Sequence, residues 1–376
     1  MDKIATLTLS LLLLAACTPS YPLLNLDDGL RPSAQNDEAQ SVPVPVQMTL
    51  HGHVPPPYVF ALLTAGSFQQ GDSQPAADYQ HDDTLHRLLF NHATRLADAN
   101  GTLQPLDAQG IPLSRYYSQR HPDWKYNFFA YHAAAAADLS TLRATADNRL
   151  MVEIDIDGTQ DIVHAWAMPT VDSLAQFSFS THTARMGLHP QFRPNHLLAR
   201  FDFLVKGIPY PDESELLPPI VHALTIQSRH AATFLLADDA WTPTLYDEAW
   251  SAGKLLTWQD DQKSIAVAEA ANLSLEPEQL QAFGHPVLLP PSSAYHILLK
   301  AEFPHRAANG TVESECEEIA CDIHPAPDTL TGETPAFLPG HQYTVTITVY
   351  GKTAIGCGVM LQPWMQGEDV NLDVTI

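Results

Sequence analysis

Four stretches of this chain alternate apolar and polar residues so strictly that a half-buried β-strand is the conformation they fit. In "RLMVEIDIDGTQD", Val152, Ile154 and Ile156 fall on one side and Glu153, Asp155 and Asp157 on the other, ahead of a turn at Asp157-Gly158. "HLLARFDFLVKG" sets Leu197, Ala199, Phe201, Phe203 and Val205 against Arg200, Asp202 and Lys206. "FLPGHQYTVTITVYGK" opposes Tyr343, Val345, Ile347 and Val349 to Thr344, Thr346 and Thr348, and "GEDVNLDVTI" opposes Val370, Leu372, Val374 and Ile376 to Asp369, Asn371, Asp373 and Thr375. Period two with one solvated face predicts antiparallel sheets packed as sandwiches. Thirty prolines in 376 residues work against long helices. The best helical signal is "TLHRLLFNHATRLADANG", with Leu85, Leu88, Leu89 and Leu96 as a stripe and Gly101 as a stop. "LSTLRATADN" and "LEPEQLQAFG" read as a helical turn or two. The expectation is an all-β chain with minor helices.

The front end is of another kind. "MDKIATLTLSLLLLAACTPS" carries one Lys, an apolar run from Ile4 to Leu14 and then Leu14-Ala15-Ala16-Cys17. This is the pattern of a secretory signal, too short for the ~20 residues that span a bilayer. The small residues before Cys17 match a bacterial lipobox, which predicts loss of residues 1–16 and diacylation of Cys17. An ordinary cleaved signal with a cysteine nearby is the alternative. Each buried acyl methylene contributes about 0.8 kcal/mol, so several chains on one cysteine hold firmly. Residues 17–45, rich in Pro, Asp and Ser, read as a tether. The length that remains predicts two domains, placed at 46–245 and 246–376.

A formal charge of −24 argues against nucleic acid as a partner, because phosphate binding needs clustered Lys and Arg. With Cys17 assigned to lipid, Cys316, Cys321 and Cys357 remain. In an oxidising compartment Cys316 and Cys321 are positioned in sequence to close a short loop, with Cys357 as a small buried hydrophobe. A zinc site from Cys316, Cys321, His324 and either His341 or Cys357 is the sharper alternative, although the paired short spacings of structural zinc sites are absent. Placing Gly158 at the glycine of an EF-hand loop puts Glu153, Asp155 and Asp157 at ligand positions, but the required Glu falls on His164 and the motif fails. His51 and His53 share a strand face, and His196 stands at the entrance of a strand. Eighteen dispersed histidines in an acidic chain read as surface residues, and no metal or other cofactor is expected. No Gly-x-Ser-x-Gly elbow, phosphate-cradling glycine loop or His-Glu-x-x-His is present, so nothing in the sequence requires an enzyme.

"WKYNFFAYH" (Trp124 to His132), "IDIDGTQDIVHAWA" (Ile154 to Ala167), "FRPNHLLARFDFLV" (Phe192 to Val205), "VLLPPSSAYHILLKAEF" (Val287 to Phe303), and "FLPGHQYTVTITVYG" followed by "LQPWMQGEDV" resemble, in this order, the landmarks of bacterial fimbrillins. These are lipoprotein-derived subunits of type V pili on Gram-negative gut and oral bacteria. The resemblance implies two tandem transthyretin-like β-sandwich domains, an outer-membrane lipid anchor at the cell surface, and other fimbrillin subunits as partners, with a host or bacterial surface ligand for an adhesive member. In stalk subunits of the family a protease removes the first strand, and a donor strand from a neighbour fills the groove by strand addition. Val370, Leu372, Val374 and Ile376 have the alternation of such a donor, and equally that of a last strand tucked into its own domain. Family cleavage follows an arginine, for which Arg31 is the candidate; Pro32 after it makes a poor site for trypsin-like enzymes. That departure leaves an anchor or accessory subunit, or a different maturation protease.

The alternative from another class is a non-polymerising outer-membrane lipoprotein that binds glycan or a host protein through exposed aromatics, for which Trp124, Trp241, Trp250, Trp258 and Trp364 are candidates. A glycoside hydrolase would need two carboxyl groups about 5–9.5 Å apart in a cleft.

Overall fold

The computed structural model of the protein describes residues 42–50, 60–67, 88–96, 101–106, 109–114, 116–117, 125–132, 143–144, 150–167, 179–209, 215–237, 255–325, 336–351 and 354–363. From Val44 onward they belong to one compact unit. In chain order the elements are β1 (Thr49–Leu50), β2 (Phe60–Ser67), β3 (Leu88–Leu96), β4 (Leu103–Pro105), β5 (Lys125–His132), β6 (Arg143–Ala144), β7 (Leu150–Asp155) and β8 (Val163–Trp166). The helix α1 (Thr181–Arg185) follows, then β9 (Gln191–Phe192), β10 (Asn195–His196), β11 (Ala199–Gly207), β12 (Ile220–Arg229), β13 (Ala231–Ala237) and β14 (Leu256–Trp258). The remainder is β15 (Gln262–Ala268), β16 (Leu273–Ser274), β17 (Gln281–Ala282), β18 (Val287–Leu289), β19 (Tyr295–Arg306), β20 (Val312–Ile323), β21 (His341–Gly351) and β22 (Ala354–Pro363).

The strands form layers, as all-β chains must to bury one face of each sheet. One sheet is ordered β10-β8-β5-β2-β3-β4 and a second β14-β13-β7-β6. Val152, Ile154, Phe234 and Leu256 from the second meet Tyr131 and Trp166 from the first in one core. The opposite face of the first sheet is buried too, where Tyr126, Phe128, Val163 and Ala165 pack against Met48, Tyr117, Phe179 and Phe192. A third core lies between the sheet β17-β11-β21-β22, which β18 joins on β11, and the sheet β15-β12-β19-β20, which β16 joins on β12. Phe201, Phe203, Val205, Val345 and Ile347 face Leu224, Ile226, Ile297 and Leu299 across it. Each such side chain contributes about 1.5–3 kcal/mol on burial.

The alternating faces of β7, β11 and β21 are those expected, with Val152, Phe201 and Val345 inside and Glu153, Asp155 and Asp157 exposed. At the predicted turn Gly158 has φ +91°, and a Cβ there would meet Ile265 Cγ2 at 2.5 Å. The fold is all-β and built as sandwiches, with four departures from expectation.

Leu88 to Leu96 is not helical. It is strand β3, paired with β2 and β4; a short apolar run fits either period, and pairing distant in sequence overrides the local stripe. Arg143–Ala144 is likewise a strand on β7. In "LEPEQLQAFG" Pro277 bridges to Gly207, Glu278 takes a left-handed φ of 56°, and Gln281–Ala282 pairs with β11. Among the described residues the α-helix is α1, five residues started by a capping box between Ser180 and Thr183.

The second departure is direction. β11 and β21 run parallel, from Arg200↔Gln342 to Gly207↔Val349, so this sheet is mixed. Alternation reports one buried face and says nothing of a neighbour's direction. The third concerns domains: strands on both sides of residue 245 share cores, with β11 and β12 in the last core and β13 and β14 in an earlier sheet. No cut between 245 and 246 separates them.

The fourth is the cysteine pair. Cys316 and Cys321 both lie in β20 and both are free thiols. Five residues of extended chain span about 16 Å, against the ~7 Å limit between Cα atoms of a disulfide, and an odd separation turns the two side chains to opposite faces.

Candidate assembly edges

In a sandwich the exposed sheet edges carry unpaired backbone donors and acceptors. Two edges stand together here, β20 at the end of one sheet of the last core and β22 at the end of the other. They differ in protection.

β20 pairs with β19 along all twelve residues, from Tyr295↔Ile323 to Arg306↔Val312. Its inner face carries Ile319 and Ile323 in the core, and the same face continues as Glu317, Glu315 and Glu313, all exposed. Inward-facing charges on an edge strand block another strand from joining, because pairing would bury them.

β22, "AIGCGVMLQP", contains no charged residue. Among the described residues it pairs with β21 alone, from Gly351↔Ala354 to His341↔Pro363. Met360 and Leu361 are each 56 % exposed. Gly356 makes room for the Tyr350 ring, whose Cε2 would lie 2.8 Å from a Cβ, whereas Gly358 faces open space. An uncharged, apolar edge whose outer backbone groups pair with no other described strand is a template for strand addition.

On the outer face of the β12-β19-β20 sheet, His222, Glu302 and Cys316 bring their ligand atoms within 4.8 Å of one another. This is where Cys316 goes, beside neither Cys321 nor His324. Imidazole, carboxylate and thiolate are ligands that zinc takes. Hydrogen bonds account for the cluster without an ion: His222 Nε2 lies 3.0 Å from Glu302 Oε2, and His222 Nδ1 lies 2.9 Å from Asn272 Oδ1 and 3.1 Å from the Ala271 carbonyl. Ser314 and then His222 donate to Glu302 and hold its carboxyl below the ordinary carboxylate range.

The other singled-out groups are structural. Asp157 Oδ1 accepts from Thr159 N at 2.8 Å and Thr159 Oγ1 at 2.6 Å, which lowers its pKa and makes the turn an Asx type, with no ion cage. His196 Nδ1 sits 2.6 Å from Oδ2 of the buried Asp161, a pair that nothing in the spacing of 35 residues announced. His341 Nδ1 donates to the Pro339 carbonyl. The half-buried Trp258 lies under the Arg229 guanidinium at 5.8 Å. Cys17, Arg31, His51, His53, Trp124, Trp241, Trp250, Trp364 and the run Val370, Leu372, Val374, Ile376 lie outside the described residues.

No family model and no curated protein matches the chain. Among solved structures it is similar to a fimbrial protein from Bacteroides vulgatus ATCC 8482, at 11% identity and a TM-score of 0.50 over 85% of this chain and 99% of that one. Lower scores, too low to bear on the fold, come from a candidate cell adhesion protein of Bacteroides uniformis ATCC 8492 and from the fimbrial anchor protein Mfa2 of Porphyromonas gingivalis. The first has 13% identity, TM-score 0.44 and coverage of 86% and 98%; the second 10%, 0.30 and coverage of 86% and 99%. The chain carries the β-sandwich fold of a Bacteroides fimbrial protein, end to end over the length of that protein.

Proposed function

We propose that the chain is a structural or adhesive component of a cell-surface pilus, made as a lipoprotein and joined to neighbouring subunits by strand addition. The fold shared with nearly the whole of a fimbrial protein carries this reading. The uncharged edge of β22 adds the surface it needs. In this reading Cys17 holds the precursor in the outer membrane, Arg31 is the candidate processing site, and Val370, Leu372, Val374 and Ile376 supply the donor strand or close their own domain. Backbone ladder bonds give such a joint its affinity, and alternate apolar side chains set its register.

Intact mass and N-terminal sequence of protein from membrane and sheared-fibre fractions test the proposal. A chain starting at Pro32 or nearby in high-mass assemblies, which vanish when Val370–Ile376 is deleted, is the result expected of a strand-exchanging subunit. Lipidated Cys17 at the base of a fibre identifies an anchor. A lipidated chain recovered solely as membrane-bound monomer overturns the pilus role.

A further inference from the structure

The two remaining cysteines meet across the last core. Cys321 stands opposite Ile297 in the β19–β20 ladder, and Cys357 stands opposite Ile347 in the β21–β22 ladder. Ile297 and Ile347 are both fully buried. Residues directly opposed in a ladder share a face, so Cys321 and Cys357 point into the sandwich from opposing sheets, and both pack on the same core. Their strands are the two edges on one side of that sandwich, and the strands touch. Burial first, and then the neighbouring Cys321 thiol, push the Cys357 thiol well above its ordinary pKa. Cys316, an odd number of residues from Cys321, faces outward to His222 and Glu302.

We propose that Cys321 and Cys357 are a disulfide-forming pair that staples β20 to β22, leaving Cys316 as the free thiol. The oxidant is a dithiol oxidase or a small disulfide of the exporting compartment, so the pairing in cells rests on the cell-surface reading above. Cys321 attacks the oxidant's disulfide as thiolate, forming a mixed disulfide and expelling one oxidant thiolate. Cys357, deprotonated in turn, attacks the Cys321 sulfur, forming the protein S–S bond and expelling the second. The two protons lost by the cysteines are taken up by the oxidant's two thiolates, and two electrons pass from protein to oxidant. The bond fixes the uncharged edge strand through its core-facing side chain and engages none of its outer backbone groups. A strand from another subunit then adds beside β22, since it cannot replace it.

The test uses the full chain, reduced, equilibrated in buffers of reduced and oxidised glutathione, quenched by alkylation in denaturant and cut by a glutamate-specific protease. Glu317 and Glu318 lie between Cys316 and Cys321, so the two cysteines leave in different peptides. The expected product is a cross-linked peptide pair holding Cys321 and Cys357, two hydrogen atoms lighter than the sum of the reduced peptides, with Cys316 alkylated. Cys316→Ser keeps the cross-link, and Cys357→Ser abolishes it together with the rise in denaturation midpoint on oxidation. Cross-links through Cys316, or full alkylation of Cys316, Cys321 and Cys357 in oxidising buffer, overturn the pair. The same digest on protein recovered from cells tests the compartment separately: free Cys321 and Cys357 there, with a cross-link formed in glutathione, count against export and leave the pair standing.

Discussion

His164 on β8 reaches the main chain of β13, its Nε2 3.3 Å from the carbonyl oxygen of Leu236. Because the carbonyl only accepts, Nε2 carries the proton and donates. The ring is fully buried, edge-on to Trp166 and Phe234 at 5.2 and 5.8 Å between centroids. Burial pushes its pKa from 6.5 down to about 4, partly opposed by the bond to Leu236. The unfolded chain therefore binds this proton first as pH falls, so the group's contribution is complete above pH 6.5 and is lost on descending to about pH 4. The difference is worth ~3 kcal/mol. Urea unfolding at a series of pH values is expected to show a slope in that window which His164→Gln largely removes; equal slopes for both proteins would refute the assignment.

Gly284 has φ +79°, and a Cβ there would sit 2.2 Å from the backbone oxygen of Val267. Gly310 has φ +82° with open space around it. Gly310→Ala therefore carries backbone strain alone, ~1–2 kcal/mol. Gly284→Ala adds a clash that backbone must move to relieve, and it is expected to cost ~2 kcal/mol or more beyond its control. Paired denaturant curves measure the difference directly.

Phe337 is fully buried among Phe201, Tyr295 and Tyr343, with ring centroids 5.0, 5.2 and 4.8 Å away. Tyr343 also accepts from Leu338 N at 2.8 Å, tying the entry loop to β21. Truncation to alanine leaves a cavity among rings that cannot collapse, so a loss of about 3–5 kcal/mol is expected. Phe337→Leu is expected to lose less than half of that, as read by calorimetry or urea unfolding.

Gly358→Lys tests the β22 edge. A Cβ at this position meets nothing within 4 Å, and the residue is exposed. Stability is expected to change by less than ~1 kcal/mol, while a charge on the unguarded edge suppresses strand addition. Loss of high-mass fibres with an unchanged unfolding midpoint is the expected result. Unaltered fibres would remove β22 as the assembly edge.

The sequence is most legible where one face is solvated. Val152, Phe201 and Val345 could be placed inside from alternation because Glu153, Asp202 and Thr344 mark the other side. β8 gave no such sign: all four residues of Val163–Trp166 are buried, since Val163 and Ala165 serve one core and Trp166 another. A strand covered on both faces has no period to read. The α1 start was hidden because Thr183 closes the capping box where Glu or Gln is the familiar residue. Cys316 and Cys321 looked like partners because sequence distance is short, whereas the ladder decides which way each sulfur points. The contrast between the β20 and β22 edges was written in their residues all along, in three glutamates on the inner face of one and no charge on the other, but it acquired meaning when both strands proved to be edges.

The chain visits its cores out of turn. β11 and β12 belong to the last core, and β13 and β14 then return to complete a sheet begun by β6 and β7. As the polypeptide is delivered from its N-terminus, the earlier core waits for Ala231–Trp258, while β11 and β12 gain β15 to β18 first and complete their sheets when β19 and β21 arrive. Each of these two cores draws described residues from both sides of residue 245. Such non-local closure folds slowly and leaves apolar strands uncovered for longer. Until the late strands arrive, the apolar faces of β11 to β13 have to be kept from premature association.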